Sequence, residues 1–153
     1  MMTRFAIHGL IFSSLMLFPT AAHAGKAGIV VQFPDGAVRT ACVEFAEAEM
    51  TGYDLLQRAS FASTSQQSAE FGAAVCSIEG IGCNYPAESC FCRCPGNGPC
   101  TYWSYWTLDE ASQWVYSNVG ASSRRVRDGS VDGWMFGDGR IPPIRTTFRD
   151  ICR

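Results

Sequence analysis

Six large aromatic side chains stand close together in the second half of the chain: Tyr102, Trp103, Tyr105, Trp106, Trp114 and Tyr116. On an extended strand side chains alternate, so Trp103 and Tyr105 share one face while Tyr102, Ser104 and Trp106 share the other. Trp114 and Tyr116, two positions apart, line a single face of their own segment. Rings of this size either fill a core or, where exposed, bind flat ligands, sugars or protein partners. These six are the candidate ligand-binding residues.

Carboxylates offer a different chemistry. Asp109, Glu110, Asp128, Asp132 and Asp138 fall in or beside turn signals, and two of them could pair as general acid and nucleophile in the manner of a glycosidase. Turn carboxylates are ordinarily solvated or capping, so the expectation is of no catalytic pair. The two histidines, His8 and His23, both lie in an N-terminal export signal. The mature chain is therefore expected to lack Ser-His-Asp and Cys-His nucleophile systems and every His-ligated metal. The Asp-x-Asp-x-Asp-Gly spacing of a calcium loop is also missing. The expectation is a protein that is not an enzyme, holds no metal and requires no cofactor.

Eight cysteines remain to be placed: Cys42, Cys76, Cys83, Cys90, Cys92, Cys94, Cys100 and Cys152. An even count in a short exported chain reads as a disulfide framework. The competing metal reading is weaker, because zinc sites favour C-x(2–4)-C pairs often accompanied by His, and an oxidising compartment removes thiolates. Cys92 cannot bridge comfortably to Cys90 or Cys94, since such pairs strain the geometry, so each must reach another part of the fold. The connectivity is otherwise open. Cys152 is expected to tie the tail to the domain through Cys42 or through the cysteine-rich loop, because a Pro-rich terminus without a bridge would fray.

Export itself is read from residues 1–24. Arg4 supplies a positive start, Gly9–Phe18 is an apolar run, Pro19 breaks it, and Ala22-His23-Ala24 fits a small-x-small cleavage pattern. Ten apolar residues rise only about 15 Å as a helix, roughly half the hydrocarbon core, so no stable membrane span is expected. A mature chain from Gly25 carries the 14 acidic residues against the 12 basic ones less Arg4, a net charge near −3. That balance excludes nucleic acid as a partner, and the short basic run Arg124-Arg125-x-Arg127 reads as a solvated turn. The expected location is the periplasm, the cell surface or the medium.

The elements that must hold these residues follow from periodicity and turn chemistry. Gly28–Phe33 and Val38–Phe45 read as strands joined through Pro34-Asp35-Gly36, a hairpin. Thr51 is a helix N-cap for about Gly52–Ser60, with Tyr53, Leu55, Leu56 and Ala59 on one face. Ser60–Glu70 reads as loop and Ala73–Ile78 as a third strand. Cys83–Cys100 is an irregular, disulfide-held excursion. Thr101–Leu108 and Ser112–Asn118 are aromatic strands around a turn at Asp109-Glu110-Ala111, and Val131–Phe136 is the last strand after Asp128-Gly129. The tail from residue 138 to 153, with Ile141-Pro142-Pro143, reads as extended. The whole is an α+β domain over residues 25–137: a mixed sheet, one packing helix and a disulfide-rich loop insertion. One helix can cover only one face of that sheet, so the other is expected to present aromatics beside the rigid Cys90–Cys100 loop.

Three segments carry a family resemblance. Val75–Gly80 (VCSIEG), Tyr102–Trp106 (YWSYW) and Gly120–Phe136 (GASSRRVRDGSVDGWMF) occur in the order and spacing of the transcobalamin-like C-terminal domain family. Between about Lys26 and Gly137 the chain is similar to that family, whose fold is a β-grasp. The resemblance implies a domain that closes over one face of cobalamin, and bacterial members associated with uptake systems. The chain lacks the family's helical barrel and adds the Cys83–Cys100 insertion. Together these readings lead to an exported module binding a corrinoid-like or other flat ligand near an uptake system. The alternatives are an interaction domain docking to a surface or transport protein without a small ligand, and a carboxylate-dependent carbohydrate-active enzyme.

Overall fold

A computed structural model of the protein describes residues 24–70 and 72–153. The export signal read from Arg4, the apolar run and the cleavage pattern lies outside the described residues, save Ala24. Strands β1 (Gly25–Gln32) and β2 (Val38–Phe45) form the expected hairpin. The two-residue strand β3 (Met50–Thr51) leads directly into helix α1 (Gly52–Arg58). Thr51 caps the helix as its sequence requires: its Oγ1 accepts the Asp54 N–H at 3.0 Å, and Asp54 Oδ2 accepts the Thr51 N–H at 3.2 Å. Leu55 and Leu56 bury the inner face of α1 completely.

Ser60–Glu70, expected as loop, instead carries strand β4 (Ser63–Ser68), paired antiparallel with β5 (Gly72–Ile78). The sequence STSQQS has no apolar alternation because β4 is an edge strand with little to bury, and polar edges discourage sheet-to-sheet association. Strand β6 (Ile81–Gly82) completes a three-stranded sheet in the order β4-β5-β6. After the cysteine loop come β7 (Tyr102–Leu108), a short β8 (Trp114–Tyr116), β9 (Arg125–Val126), which pairs with β3, and β10 (Val131–Gly137). The second aromatic strand is thus shorter than the expected Ser112–Asn118, its ends being drawn into turns. The tail is extended as expected but ends in a second helical turn, α2 (Phe148–Ile151), closed by a Thr147–Asp150 capping box.

The main sheet runs β2-β1-β10-β7-β8, with β1 and β10 parallel at its centre and the other pairs antiparallel. A hairpin, a helix across one face and a closing strand parallel to the first make this a β-grasp-like α+β fold with a mixed sheet. Ala27, Ile29 and Val31 of β1, with Phe33 just after it, point beneath α1, where they meet Val43, Phe45, Trp103, Trp134 and Phe136. The opposite face carries Val30, Ser104 and Trp106, all buried although α1 lies on the other side of the sheet.

The tail covers that face. The Trp114 indole N–H donates to the Ile144 carbonyl at 2.8 Å, and the Ile144 N–H donates to Gln32 Oε1 at 2.7 Å. A Cβ at Gly133 of β10 would lie 2.8 Å from the Trp114 ring and 2.9 Å from Pro143, so only glycine lets the roof sit this low. Gly28 of β1 leaves the same space for Ile151. Cys152 then closes onto Cys42 of β2, the first of the two partners expected for it.

Candidate functional site

The structure divides the six candidate aromatics into three groups. Trp103 and Tyr105 are core residues on the helix face. Trp103 packs edge-on to Phe33 at 5.7 Å between centroids, and its indole N–H donates to the Ile81 carbonyl at 2.8 Å. Tyr105 stacks on Trp134 at 4.7 Å. Trp106 and Trp114 lie on the opposite face beneath the tail, where Trp106 donates to Ser104 Oγ at 2.9 Å. The expected open aromatic face is therefore not open; the segment read as a mere extended tail roofs it. Tyr102 and Tyr116 stand at the sheet edge with their hydroxyls 2.9 Å apart.

An accessible surface persists at that edge, and the shortness of β8 creates it. β8 pairs only with Trp106, Thr107 and Leu108 of β7, and the last bond across runs from the Ser117 N–H to the Tyr105 carbonyl at 2.9 Å. Beside Tyr102–Tyr105 the chain turns away instead of continuing the sheet. The gap between β7, β5 and the connection after β8 is a groove of about 430 Å³. A side lobe of about 310 Å³ is bounded by Ala73, Ala74, Phe91 and Gly120, all of which also line the groove.

Two stiff walls flank it. Phe91 sits between Cys90 and Cys92, which bridge to Cys76 and Cys83 respectively, so both of its neighbours are anchored. Its ring is tilted against Tyr102 at 6.3 Å. Opposite, the segment Ser117–Ala121 is pinned to α1 by the Tyr53 N–H donating to the Ala121 carbonyl at 3.1 Å. Phe91, Tyr116 and Val119 are 49, 44 and 45% exposed, unusually high for apolar side chains with so much rigid structure around them. None of the lining side chains among the described residues carries a charge. Trp134, absent from the sequence-derived candidates, lines the groove as well. Only 3% exposed, its indole Nε1 is buried without a hydrogen-bond partner among the described residues.

The carboxylates separate just as clearly. Asp109 accepts the Ala111 and Gln113 N–H groups at 2.9 and 2.8 Å, Asp128 accepts the Lys26 N–H at 2.8 Å, and Asp138 accepts that of Arg140 at 3.0 Å. These are local turn and strand-end locks. Asp132, read from sequence as a carboxylate in or beside a turn signal at the start of the expected last strand, lies on β10 and is completely buried. Tyr105 donates its hydroxyl to Asp132 Oδ2, and Arg124 Nε stands 3.6 Å from Oδ1. That separation is an ion pair but too long for a hydrogen bond, which is why both atoms remain without hydrogen-bond partners. Burial pushes the Asp132 carboxyl up to about 6, with the Tyr105 hydroxyl and Arg124 opposing the rise. Burial likewise pushes the Tyr105 phenol up, and the Asp132 charge adds to it.

The basic run is also more structured than a solvated turn. Arg124 serves Asp132, while Arg125 and Arg127 both reach Glu49, at 3.5 and 3.2 Å. All eight cysteines are paired, as Cys42–Cys152, Cys76–Cys90, Cys83–Cys92 and Cys94–Cys100. Among the described residues no cysteine is free, and no cluster of three or more His, Cys, Asp or Glu is placed to hold a metal. No helix among them is long and apolar enough to cross a membrane. Four disulfides in so short a chain mark an extracytoplasmic protein.

Fold and groove together define a disulfide-locked α+β domain with an uncharged edge cleft. The SCO2322-like domain family matches residues 97–153, the stretch from the end of the cysteine loop through β7, β10 and the tail. Among solved structures the fold is similar to a protein of Ruminococcus gnavus described as a candidate metal-binding protein. The TM-score is 0.51 at 13% identity, covering 75% of this chain and 98% of that one. At that identity the likeness is one of fold. No curated protein matches the sequence.

Proposed function

We propose that the protein is an exported, non-enzymatic binding module that takes a flat, largely apolar ligand in the groove beside β7, in the setting of an uptake system. The observation that carries this reading is the groove itself: about 430 Å³, uncharged, walled by a disulfide-anchored Phe91 and the pinned Ser117–Ala121 segment. That volume falls in the range of small-ligand sites, and rigid walls reduce the ordering cost of binding. Tyr102, Trp103, Tyr105 and Tyr116 of the aromatic set contribute to it, whereas Trp106 and Trp114 belong to the roofed face. A corrinoid-like ring is the ligand that the resemblance to the transcobalamin-like C-terminal domain family suggests. The groove would hold part of such a ring, leaving the remainder to a partner.

A second reading, an interaction domain docking to a surface or transport protein, is favoured by the exposure of Ile141 and Ile144 on the tail. Titration with cobalamin followed by visible absorbance, and with caffeine as a small neutral flat ring followed by indole fluorescence, separates the two. The groove reading expects at least one probe to bind. Phe91→Ala and Tyr116→Ala should each weaken that binding roughly tenfold with little change in melting temperature, because both rings are half exposed. Failure of both probes, or affinities indifferent to both substitutions, overturns it.

A further inference from the structure

We infer, resting on the groove reading above, that Asp132 and Arg124 are a proton-operated latch for the wall of the groove. While Asp132 is ionised it holds Arg124 and seats the turn at residues 120–124. When Asp132 takes up a proton from solvent, Arg124 lets go and the turn loosens.

That turn is where three elements meet. The Ser123 and Arg124 N–H groups close it on the Gly120 carbonyl at 2.9 and 3.2 Å. From α1, the Gly52 and Tyr53 N–H groups donate to the Arg124 and Ala121 carbonyls at 3.2 and 3.1 Å. From β5, the Ala73 N–H donates to Ser122 Oγ at 2.9 Å. The third element is β10, reached through the ion pair of Arg124 with Asp132. Gly120, Ala121 and Ala73 all line the groove, and so does Tyr105, which donates its hydroxyl to the same carboxylate. One buried carboxylate thus fastens both a floor ring and a wall.

The fastening to the wall is loose and solitary. Asp132 Oδ1 and Arg124 Nε lie 3.6 Å apart, both buried, and neither has a hydrogen-bond partner among the described residues. Opposite charge alone compensates them. Tyr105 already occupies Oδ2, so an added proton goes to Oδ1, where its O–H would face the Arg124 N–H as donor against donor. Arg124 also has a way out. Its side chain is 28% exposed, and it lines a surface hollow of about 480 Å³ together with the carboxylates of Asp109, Glu110 and Asp128. Its neighbours Arg125 and Arg127 are engaged elsewhere, with Glu49.

Few groups face Asp132. β7 presents the Tyr105 hydroxyl and the turn presents Arg124. β1 runs beside it at Ile29, and α1 meets it with Gly52, where a Cβ would come 2.9 Å from Oδ2. No other titratable or charged side chain among the described residues bears on the carboxyl, which burial raises to about 6 against the opposition of Tyr105 and Arg124. With Arg124 gone and the carboxyl still buried, that opposition weakens and the proton is held more tightly. Proton uptake and release of Arg124 therefore favour one another. Acid loosens the turn while the raised pKa favours the folded chain over the unfolded one, a pairing that general acid unfolding does not produce.

The test reads hydrogen exchange of the Tyr53 amide by NMR, against the Ala59 amide bonded to the Leu55 carbonyl in the same helix. The ratio of the two protections cancels the pH dependence of exchange chemistry. From about pH 7.5 to about pH 5 it is expected to fall roughly fivefold or more in wild type. In Asp132→Asn, and separately in Arg124→Met, it should be low and flat. Caffeine and cyanocobalamin do not titrate in this window. Whichever of them binds should bind wild type several-fold more weakly at the acid end, because a loosened wall must be ordered on binding, and should bind Asp132→Asn equally at both. A wild-type ratio indifferent to pH, or one that falls equally in Asp132→Asn, overturns the latch and leaves the groove reading standing. A ratio that responds while probe affinity stays constant also overturns the inference, since the turn would then not govern the groove. Failure of both probes at either pH overturns the groove reading and the groove's regulation with it.

Discussion

Asp132 shows how much a single side chain can hide in a sequence. It stands four residues after the Asp128-Gly129 turn signal, and proximity to that turn suggested a solvated carboxylate. Strand periodicity carried the contrary signal: Asp132, Trp134 and Phe136 fall on one face, and two large aromatics in phase place that face in the core. The buried carboxylate then needed partners, which Tyr105 and Arg124 supply. Its pKa, raised by burial to about 6 from 3.8, has a consequence for stability. A carboxyl that holds its proton more tightly when folded contributes stability fully below about 3.8, and that contribution is lost as pH rises through about 6. Asp132→Asn removes this titration. Thermal melts of both proteins from pH 4 to 7 should show wild type losing ground to Asp132→Asn across the window. Exposed carboxylates with lowered pKa, such as Glu47, occur in both proteins and drop out of the difference. Parallel curves would mean that Asp132 does not titrate there.

At the level of elements, the hairpin, the Thr51 cap, β5, β7 and β10 were legible because apolar alternation and turn residues agree at each. Strand β4 was not, since STSQQS buries little and an edge strand leaves no apolar period to read. The tail was legible in part. Its bridge through Cys152 followed from the cysteine arithmetic, with Cys42 one of two partners considered. Its path over the sheet did not, because Ile141-Pro142-Pro143 has no period, and the low approach depends on what Gly28 and Gly133 lack. The roof explains why the aromatic face expected to be open is closed. Replacing both Cys42 and Cys152 by serine should therefore do more than loosen a terminus. Their bridge closes a separation of 110 residues, so its loss should cost about 2–5 kcal/mol. It should also let the tail lift from Trp106 and Trp114. Denaturant titration would give the first, and a red shift with easier acrylamide quenching of indole fluorescence the second. Unaltered quenching would mean that the tail stays down without its bridge.

On the scale of the whole molecule, a small domain has covered both faces of its sheet, one with α1 and one with its own tail. Four disulfides stiffen the parts that have little apolar packing of their own. Accessible apolar surface is left at the edge where β8 stops short, between the cysteine loop and the Ser117–Ala121 segment. From the sequence, the aromatic strand and the rigid loop beside it were visible as ingredients of a half-pocket. The groove was not, because it depends on β8 ending after Tyr116 and on β5 lying across the gap, neither of which a local pattern reports. The account stands on that groove being where a ligand sits. The most direct measurement is amide chemical-shift mapping of the folded, oxidised protein with a saturating neutral flat ring, caffeine being soluble enough to serve. The account predicts shifts concentrated in Ala73–Val75, Phe91, Tyr102–Tyr105 and Ser117–Ala121, with the tail and β2 unmoved. Shifts centred on the tail around Ile141–Ile144, or none at saturating concentration, would contradict it.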